Sequence, residues 1–391
     1  MRNVSVVFPL VCALFVAPMV VCADAARYDR NLVIESVTVP SDVKWVDGRG
    51  LPLEGRAFCD VDHYYDRLPS GLSTNINVGV HEMKHHTAGM KFRFRTDASR
   101  LYIKWRAYTN TWCSGQMPAT AVSGIDVYRY DEEAERWRFV RAGCMADIAS
   151  GGAILTDWRP NEACLINLPL YNGIAEFKLG IASTNTIAPA PQRKSDRRLP
   201  VVFYGTSITQ GASASRPGMS FVNIVGRHLD VPVVNLGFSG CGKMEIEMSD
   251  CLARIDAACY VLDCQWNMGE RLLRERFEPF VRNLRAKRPQ VPILLVEQSD
   301  AFYVQGISPS RFAAKDRIIR EAYERMKAEG RDGLHYLKMN EMYSQDAEGT
   351  TDTVHPNDYG MMSMARAFER AIEGVLSGSL EGGSKRETSH P

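Results

Sequence analysis

The sequence predicts an α/β domain built on a parallel sheet, preceded by an all-β sandwich. Three observations predict this pair. From about Ala26 to Ser183, apolar and polar residues alternate with a period of two, as in antiparallel strands with one face in a core. From Val201 onward, short β-branched apolar runs alternate with longer segments of helical periodicity, the mark of strand–helix units around a parallel sheet. Between them, residues 184–200 turn polar and proline-bearing, with Ala188-Pro189-Ala190-Pro191 followed by a basic run, which is a linker composition.

Taken in chain order, residues 1–25 read as a secretory signal: Arg2, an apolar stretch from Val4 to Val21, then the small residues of Ala23-Asp24-Ala25. Cleavage there leaves no other span long enough to cross a bilayer, so export of a soluble protein is expected, and a retained anchor is the alternative. The β domain is expected over 26–183. Met90, Phe92 and Phe94 interleave with Lys91, Arg93 and Arg95, and Leu101, Ile103 and Trp105 with Tyr102, Lys104 and Arg106. The turn Thr96-Asp97-Ala98-Ser99-Arg100 is expected to join these two strands as a hairpin. Further strands are expected at Ile125 to Tyr130, Arg136 to Val140 and Ala175 to Ile181, and a sandwich is their natural closure.

The α/β domain is expected over 201–376. Its strands fall at 201–204, 231–236, 259–263, 291–296 and 334–338, and its helices near 220–229, 243–255, 275–288, 311–328 and 360–376. Residues 377–391 are glycine, serine and charge, the composition of a disordered tail.

With 47 basic and 46 acidic side chains among 391 residues, no global field draws in nucleic acid or an anionic membrane. Small neutral substrates fit that balance better. Of ten cysteines, Cys12 and Cys22 fall in the leader, and the other eight read equally as disulfides or as free buried thiols.

Several motifs compete for the chemistry. His81-Glu82-Met83-Lys84-His85 matches HExxH, but glycines at 79 and 89 bound a stretch too short for a zinc-peptidase helix, so a histidine-rich exposed loop is the preferred reading and no metal is expected. Gly237-Phe238-Ser239-Gly240-Cys241-Gly242-Lys243 copies a P-loop up to Met244, where magnesium binding needs a hydroxyl; a glycine-rich turn with its amides aimed at a reacting oxygen is the better reading. Trp45, Trp105, Trp112, Trp137 and Trp158 crowd the β half, as core or as a sugar-stacking surface. Gly205-Thr206-Ser207-Ile208-Thr209 closes the apolar run Val201-Val202-Phe203-Tyr204, where a parallel strand passes into a helix and reactive groups gather. Thr209 stands where the α/β-hydrolase elbow needs glycine. Asp352-Thr353-Val354-His355-Pro356 offers a base for that serine and a carboxylate to orient the base.

In order, Gly205-Thr206-Ser207-Ile208-Thr209, Asn235-Leu236-Gly237-Phe238-Ser239-Gly240, Trp266-Asn267-Met268 and Asp352-Thr353-Val354-His355-Pro356 resemble the signature segments of the SGNH (GDSL-type) hydrolases. Gly124-Ile125-Asp126-Val127-Tyr128 resembles the GxDLY motif of the β-rich domain that precedes one branch of them. The resemblance implies a flavodoxin-like three-layer αβα domain after a jelly-roll-like sandwich. It implies Ser207 as nucleophile, His355 as general base, Asp352 as its orienting carboxylate, and an oxyanion hole from the amides of Ser207 and Gly240 with the side chain of Asn267. No cofactor enters such chemistry. Trp266, beside Asn267, is expected to contact substrate. Thr206 and Met268 depart from the aspartates common at those places and carry no proton chemistry. The reading is a secreted esterase releasing small acyl groups, acetyl above all, from carbohydrate. A long-chain lipase or thioesterase and a non-catalytic carbohydrate-binding protein are the alternatives.

Overall fold

The computed structural model of the protein describes residues 37–111, 113–147, 151–193, 198–297, 309–338 and 348–378. The leader, Trp112 and most of the expected tail lie outside the described residues.

The first half forms two facing antiparallel sheets. Strands β1 (Val43–Asp47), β2 (Leu53–Glu54), β3 (Lys91–Thr96), β4 (Arg100–Ala107), β5 (Ile125–Asp131) and β6 (Arg136–Gly143) are followed by β7 (Met145–Asp147), β8 (Gly151–Asp157), β9 (Ala163–Asn167), β10 (Ile174–Ala182) and β11 (Ile187–Pro189). One sheet runs β1-β10-β4-β8-β7, the other β11-β3-β9-β5-β6, with β2 on β3. Inward side chains of both, including Phe92, Phe94, Leu101, Ile103, Trp105, Val127 and Phe177, form one buried cluster.

The turn at 96–100 corrects one expectation. It joins β3 of one sheet to β4 of the other, so the two strands face each other across the core and do not pair as a hairpin. Alternation reports that a strand has one buried face; it does not report whether its successor lies beside it or opposite it. Hairpin pairing in this half is seen at β5–β6, from Ile125↔Gly143 to Asp131↔Arg136. Within the stretch expected as linker, β11 pairs antiparallel with β3.

The second half is a parallel sheet of β12 (Val201–Gly205), β13 (Val233–Gly237), β14 (Cys259–Asp263), β15 (Ile293–Val296) and β16 (Leu334–Leu337), in the order β13-β12-β14-β15-β16. That is the flavodoxin-like order, whose switch point lies between β12 and β14. Helices α1 (Val78–Met83) and α2 (Ala119–Val122) belong to the first half; α3 (Ser207–Gln210), α4 (Phe221–His228), α5 (Ile246–Leu252), α6 (Glu270–Lys287), α7 (Pro309–Ala328) and α8 (Asp358–Leu376) belong to the second. Phe221 and Phe368, from α4 and α8, stack over Phe203 on one face of the sheet. Phe277, Phe280 and Leu284 of α6 cover Tyr204 and Tyr260 on the other.

Both layers also bury residues of the first half. Ala121, Val122 and Leu170 enter the layer under α4 and α8, and Phe58, Leu68, Ile76 and Val80 the layer under α6. The described residues from Val37 onward accordingly make one compact unit. The GxDLY-like segment clamps the halves: buried Asp126 accepts from Asn167 at 2.8 Å, from Arg216 at 3.0 Å and from the Gly218 amide at 2.7 Å. All eight cysteines outside the leader are free thiols, four of them buried. Trp105 and Trp158 are core, whereas Trp45 lies under the Lys104 ammonium at 5.1 Å and Trp137 against Tyr130, so the described tryptophans share no common stacking face. No helix among the described residues is long and apolar enough to cross a membrane.

Candidate active site

Register builds the site. Gly205 at the end of β12 pairs with Gly237 of β13 and Asp263 of β14, so three carboxyl ends stop level at the switch point. Ser207 opens α3 two residues later. Thr206 caps that helix, its hydroxyl accepting from Ile208, while Thr209 Oγ1 accepts from the Thr206 amide at 3.2 Å. Thr209 then donates to Asp263 Oδ2 at 2.9 Å. A glycine at 209 would lose both bonds, which is the physical content of the departure from the hydrolase elbow. Burial pushes the Asp263 carboxyl up to about 7, against the pull of the Thr209 hydroxyl.

Ser207 is 9% exposed, and its Oγ lies 2.9 Å from His355 Nε2. His355 Nδ1 lies 2.7 Å from Asp352 Oδ2. The three side chains therefore form one continuous hydrogen-bonded line. Asp352 also accepts the amides of Val354 at 3.0 Å and His355 at 2.7 Å through its other oxygen. This fold-back places Thr353 at φ 67°, a left-handed conformation unusual for a β-branched residue. Partial burial acts to raise the Asp352 carboxyl, but the bonds from His355 and Val354 prevail and hold it below the usual carboxylate range.

The loop after β13 closes over the same point. Gly240 has φ +67° and open space on its Cβ side. A Cβ on Gly242 would stand 2.0 Å from the Gly205 carbonyl, so only glycine lets this loop lie against the strand end. The loop has no phosphate-cradle role here, because its Phe238 carbonyl takes the amides of Cys241 and Gly242 in a tight turn. Ser207 N–H, at the first position of a helix, and Gly240 N–H have no acceptor among the described residues, and both stand at this turn. Asn267 Nδ2 lies 3.1 Å from Phe238 O and 3.3 Å from Gly242 O, so its amide secures the loop. Trp266 is half-buried and packs on the same core cluster as Val354, next to His355.

The β half supplies contacts that sequence reasoning missed. Arg67, 1% exposed, donates to the carbonyls of Asn235 at 3.1 Å, Gly237 at 2.7 Å and Met83 at 2.8 Å, with its guanidinium over the Phe238 ring. Burial pushes it down to about 9, so it remains a cation at neutral pH. Gln210 receives the Ser239 amide on Oε1 and turns Nε2 to His86 Nδ1, while Tyr171 donates to the Ser207 carbonyl at 3.2 Å. Burial, then the charges of Arg67 and His85, push His86 down to about 3, so it is a neutral acceptor. Gln116 donates to Asp352 Oδ2 at 3.2 Å. None of these has a local motif, and Arg67, which follows Asp62, His63 and Asp66, carries no sequence signal of burial.

The two histidines of HExxH part company. His81 is held to the Ser73 carbonyl at 3.1 Å and His85 to Asp66 at 2.8 Å, so no zinc-peptidase site forms.

Comparisons with known proteins bear on the family and the fold. Residues 198–373 match the GDSL-like Lipase/Acylhydrolase family, and residues 43–187 match the GxDLY N-terminus of the SGNH-hydrolase-type esterases. A crystal structure described as a GDSL-like lipase from Bacteroides ovatus is 28% identical, over 86% of this chain and 98% of that one, at a TM-score of 0.76. The salicylyl-acyltransferase SsfX3 of a tetracycline biosynthetic pathway (16% identity, 89% and 100% coverage, TM-score 0.68) shares the fold. So does a family two carbohydrate esterase from Cellvibrio japonicus (14%, 86% and 98%, TM-score 0.55). No curated protein sequence matches the chain.

Proposed function

From the chain's membership of the SGNH (GDSL-type) hydrolases, in the branch with a GxDLY-type β-rich N-terminal domain, and so from its being a carboxylic ester hydrolase, we propose that it is an exported deacetylase of carbohydrate esters working through Ser207, His355 and Asp352. The observation that carries the mechanism is the line Ser207 Oγ, His355 Nε2, His355 Nδ1, Asp352 Oδ2, with contacts of 2.9 and 2.7 Å.

In this reading His355 Nε2 takes the Ser207 proton as Oγ bonds to the ester carbonyl carbon. The resulting oxyanion meets the amides of Ser207 and Gly240. Asn267 joins them by releasing the longer, 3.3 Å bond to Gly242. Loss of one such donor costs about 3 kcal/mol of barrier. His355 then gives its proton to the departing alcohol oxygen as the C–O bond breaks. Water, deprotonated by Nε2, attacks the acyl-enzyme, the acid leaves, and Oγ recovers its proton. Asp352 stays ionised throughout and stabilises the imidazolium, a role that its lowered carboxyl pKa favours.

The carbohydrate and acetyl part rests on the shared fold of a family two carbohydrate esterase, on Trp266 as a half-buried indole beside Asn267, and on the leader-like residues 1–25 that would export the chain to where glycans are. Ser207→Ala should abolish turnover of p-nitrophenyl acetate in a folded protein; unchanged turnover would sink the mechanism. Rates for esters of increasing acyl length test the substrate. A long-chain lipase would gain about 0.8 kcal/mol per methylene buried, and an acetyl site would lose rate with the first few carbons.

A further inference from the structure

Outside the active site, His63, Asp66 and His85 bring one donor atom each within 4.8 Å of one another. His63 Nδ1 and His85 Nδ1 are 3.3 Å apart. Asp66 Oδ1 is 2.8 Å from His85 Nδ1, and Asp66 Oδ2 is 3.5 Å from His63 Nδ1. We propose that these three side chains bind a divalent first-row transition ion of the zinc class, as a structural site of the β half.

Donor accounting favours a cation over a proton. Each Nδ1 carries either one hydrogen or one lone pair in the ring plane. If His85 donates its proton to Asp66, His63 Nδ1 is left facing that spent donor, and its own contact to the carboxylate is too long for an ordinary N–H···O bond. One ring is satisfied within the protein and the other is left to water. A metal satisfies all three at once: bonds of about 2.0 to 2.2 Å put neighbouring ligand atoms about 3 to 3.5 Å apart, and the 3.3 Å between the rings and the 3.5 Å from Asp66 Oδ2 to His63 lie in that range, with the 2.8 Å contact of Asp66 Oδ1 slightly inside it.

A second observation is consistent with the tautomer that a metal requires. Tyr108 stacks on His85 and sets its hydroxyl 3.4 Å from His63 Nε2. A proton on Nε2 held toward that hydroxyl leaves the Nδ1 lone pair for the shared point, the usual outer-sphere partner of a ligating imidazole. Asp66 is 1% exposed and fixed by the His63 amide at 3.0 Å, whereas His63 is 49% exposed, so the open coordination position faces water. The set pins residues 63–66 to residue 85. Their chain neighbours Arg67 and His86 are the side chains that lean on the loops after β13 and β12.

The test uses the full chain, stripped with a chelator and titrated with Zn²⁺ by calorimetry and thermal unfolding, with Co²⁺ absorption as a ligand-field probe. The expected result is one ion per chain and a zinc-dependent rise in Tm. His63→Ala, at a half-exposed position, should weaken binding by at least about tenfold and remove that rise; Tyr108→Phe should weaken it less. Binding of equal affinity and stoichiometry in wild type and His63→Ala would overturn the proposal, as would the absence of any binding by wild type. If His63→Ala does not fold, His63→Gln takes its place under the same criteria.

Discussion

Ser207, Asp352 and His355 all stand on the α/β half, within a few residues of β12 or α8, whereas Arg67, His86, Gln116 and Tyr171 reach over from the β half and touch the loops that carry them. The two sets differ in range. Asp352 and His355 are three residues apart, while Gln116 meets Asp352 across 236 residues and Arg67 meets Gly237 across 170. A strand end presents its reactive group by local backbone geometry, but the loops around it need partners from elsewhere to hold one conformation. The difference teaches that chemistry and support are separable here, and substitution can pull them apart.

The sharpest break should come at the chemistry. Asp352→Asn keeps the shape but reverses the hydrogen-bond demand on His355 Nδ1, so kcat on an acetyl ester should fall by about 10⁴-fold while the unfolding midpoint moves little. A drop of less than about tenfold would mean that Asp352 only supports.

Asp263 tests whether support belongs to the β half alone, since it holds Thr209 of the helix that Ser207 opens. Its folded carboxyl lies near 7 against 3.8 for a free aspartate, so the folded state holds a proton that the unfolded state has lost between those values. The stabilisation is therefore complete below about pH 4 and is lost as pH rises through about 7, an effect on the order of 4 kcal/mol at most. Urea unfolding of wild type at about pH 5 and about pH 8 should show that loss, and Asp263→Asn should flatten it. Parallel pH profiles for the two proteins would remove Asp263 from the supports.

Arg67→Met leaves the carbonyls of Asn235, Gly237 and Met83 unpaired while relieving a buried cation of its desolvation. The net cost should be about 3 kcal/mol of stability, read from the urea midpoint, with kcat falling because Gly237 begins the loop that carries Gly240.

Legibility follows the same division. The five parallel strands and their helices were readable because each is a contiguous apolar run or a periodic segment, and the candidate triad because strand ends and a short Asp-x-x-His segment are local. Strands β8 and β9 were not: Gly151 and Gly152 dilute the first, and Ala163-Cys164-Leu165-Ile166-Asn167 is buried throughout and so shows no alternation. The arch at 96–100 passed for a hairpin because the same alternation serves both geometries. Arg67 looked like any surface arginine, and the partners of His85 proved to be Asp66 and His63, which no spacing in the HExxH segment could name.

The smallest effect should fall on the longest contact. Gln116 is exposed, and its Nε2 gives Asp352 Oδ2 a fourth hydrogen bond at 3.2 Å, beside those from His355 Nδ1 and the amides of Val354 and His355. With three donors remaining, Asp352 keeps its charge and its orientation. Gln116→Ala should thus cost at most about 1 kcal/mol, a fall in kcat of roughly fivefold or less with KM unchanged. The telling readout is the pH–rate profile. If the triad is self-sufficient, the acid limb of kcat/KM should stay in place; if it moves upward, Asp352 has lost more than one surface bond, and the β half takes part in setting the base.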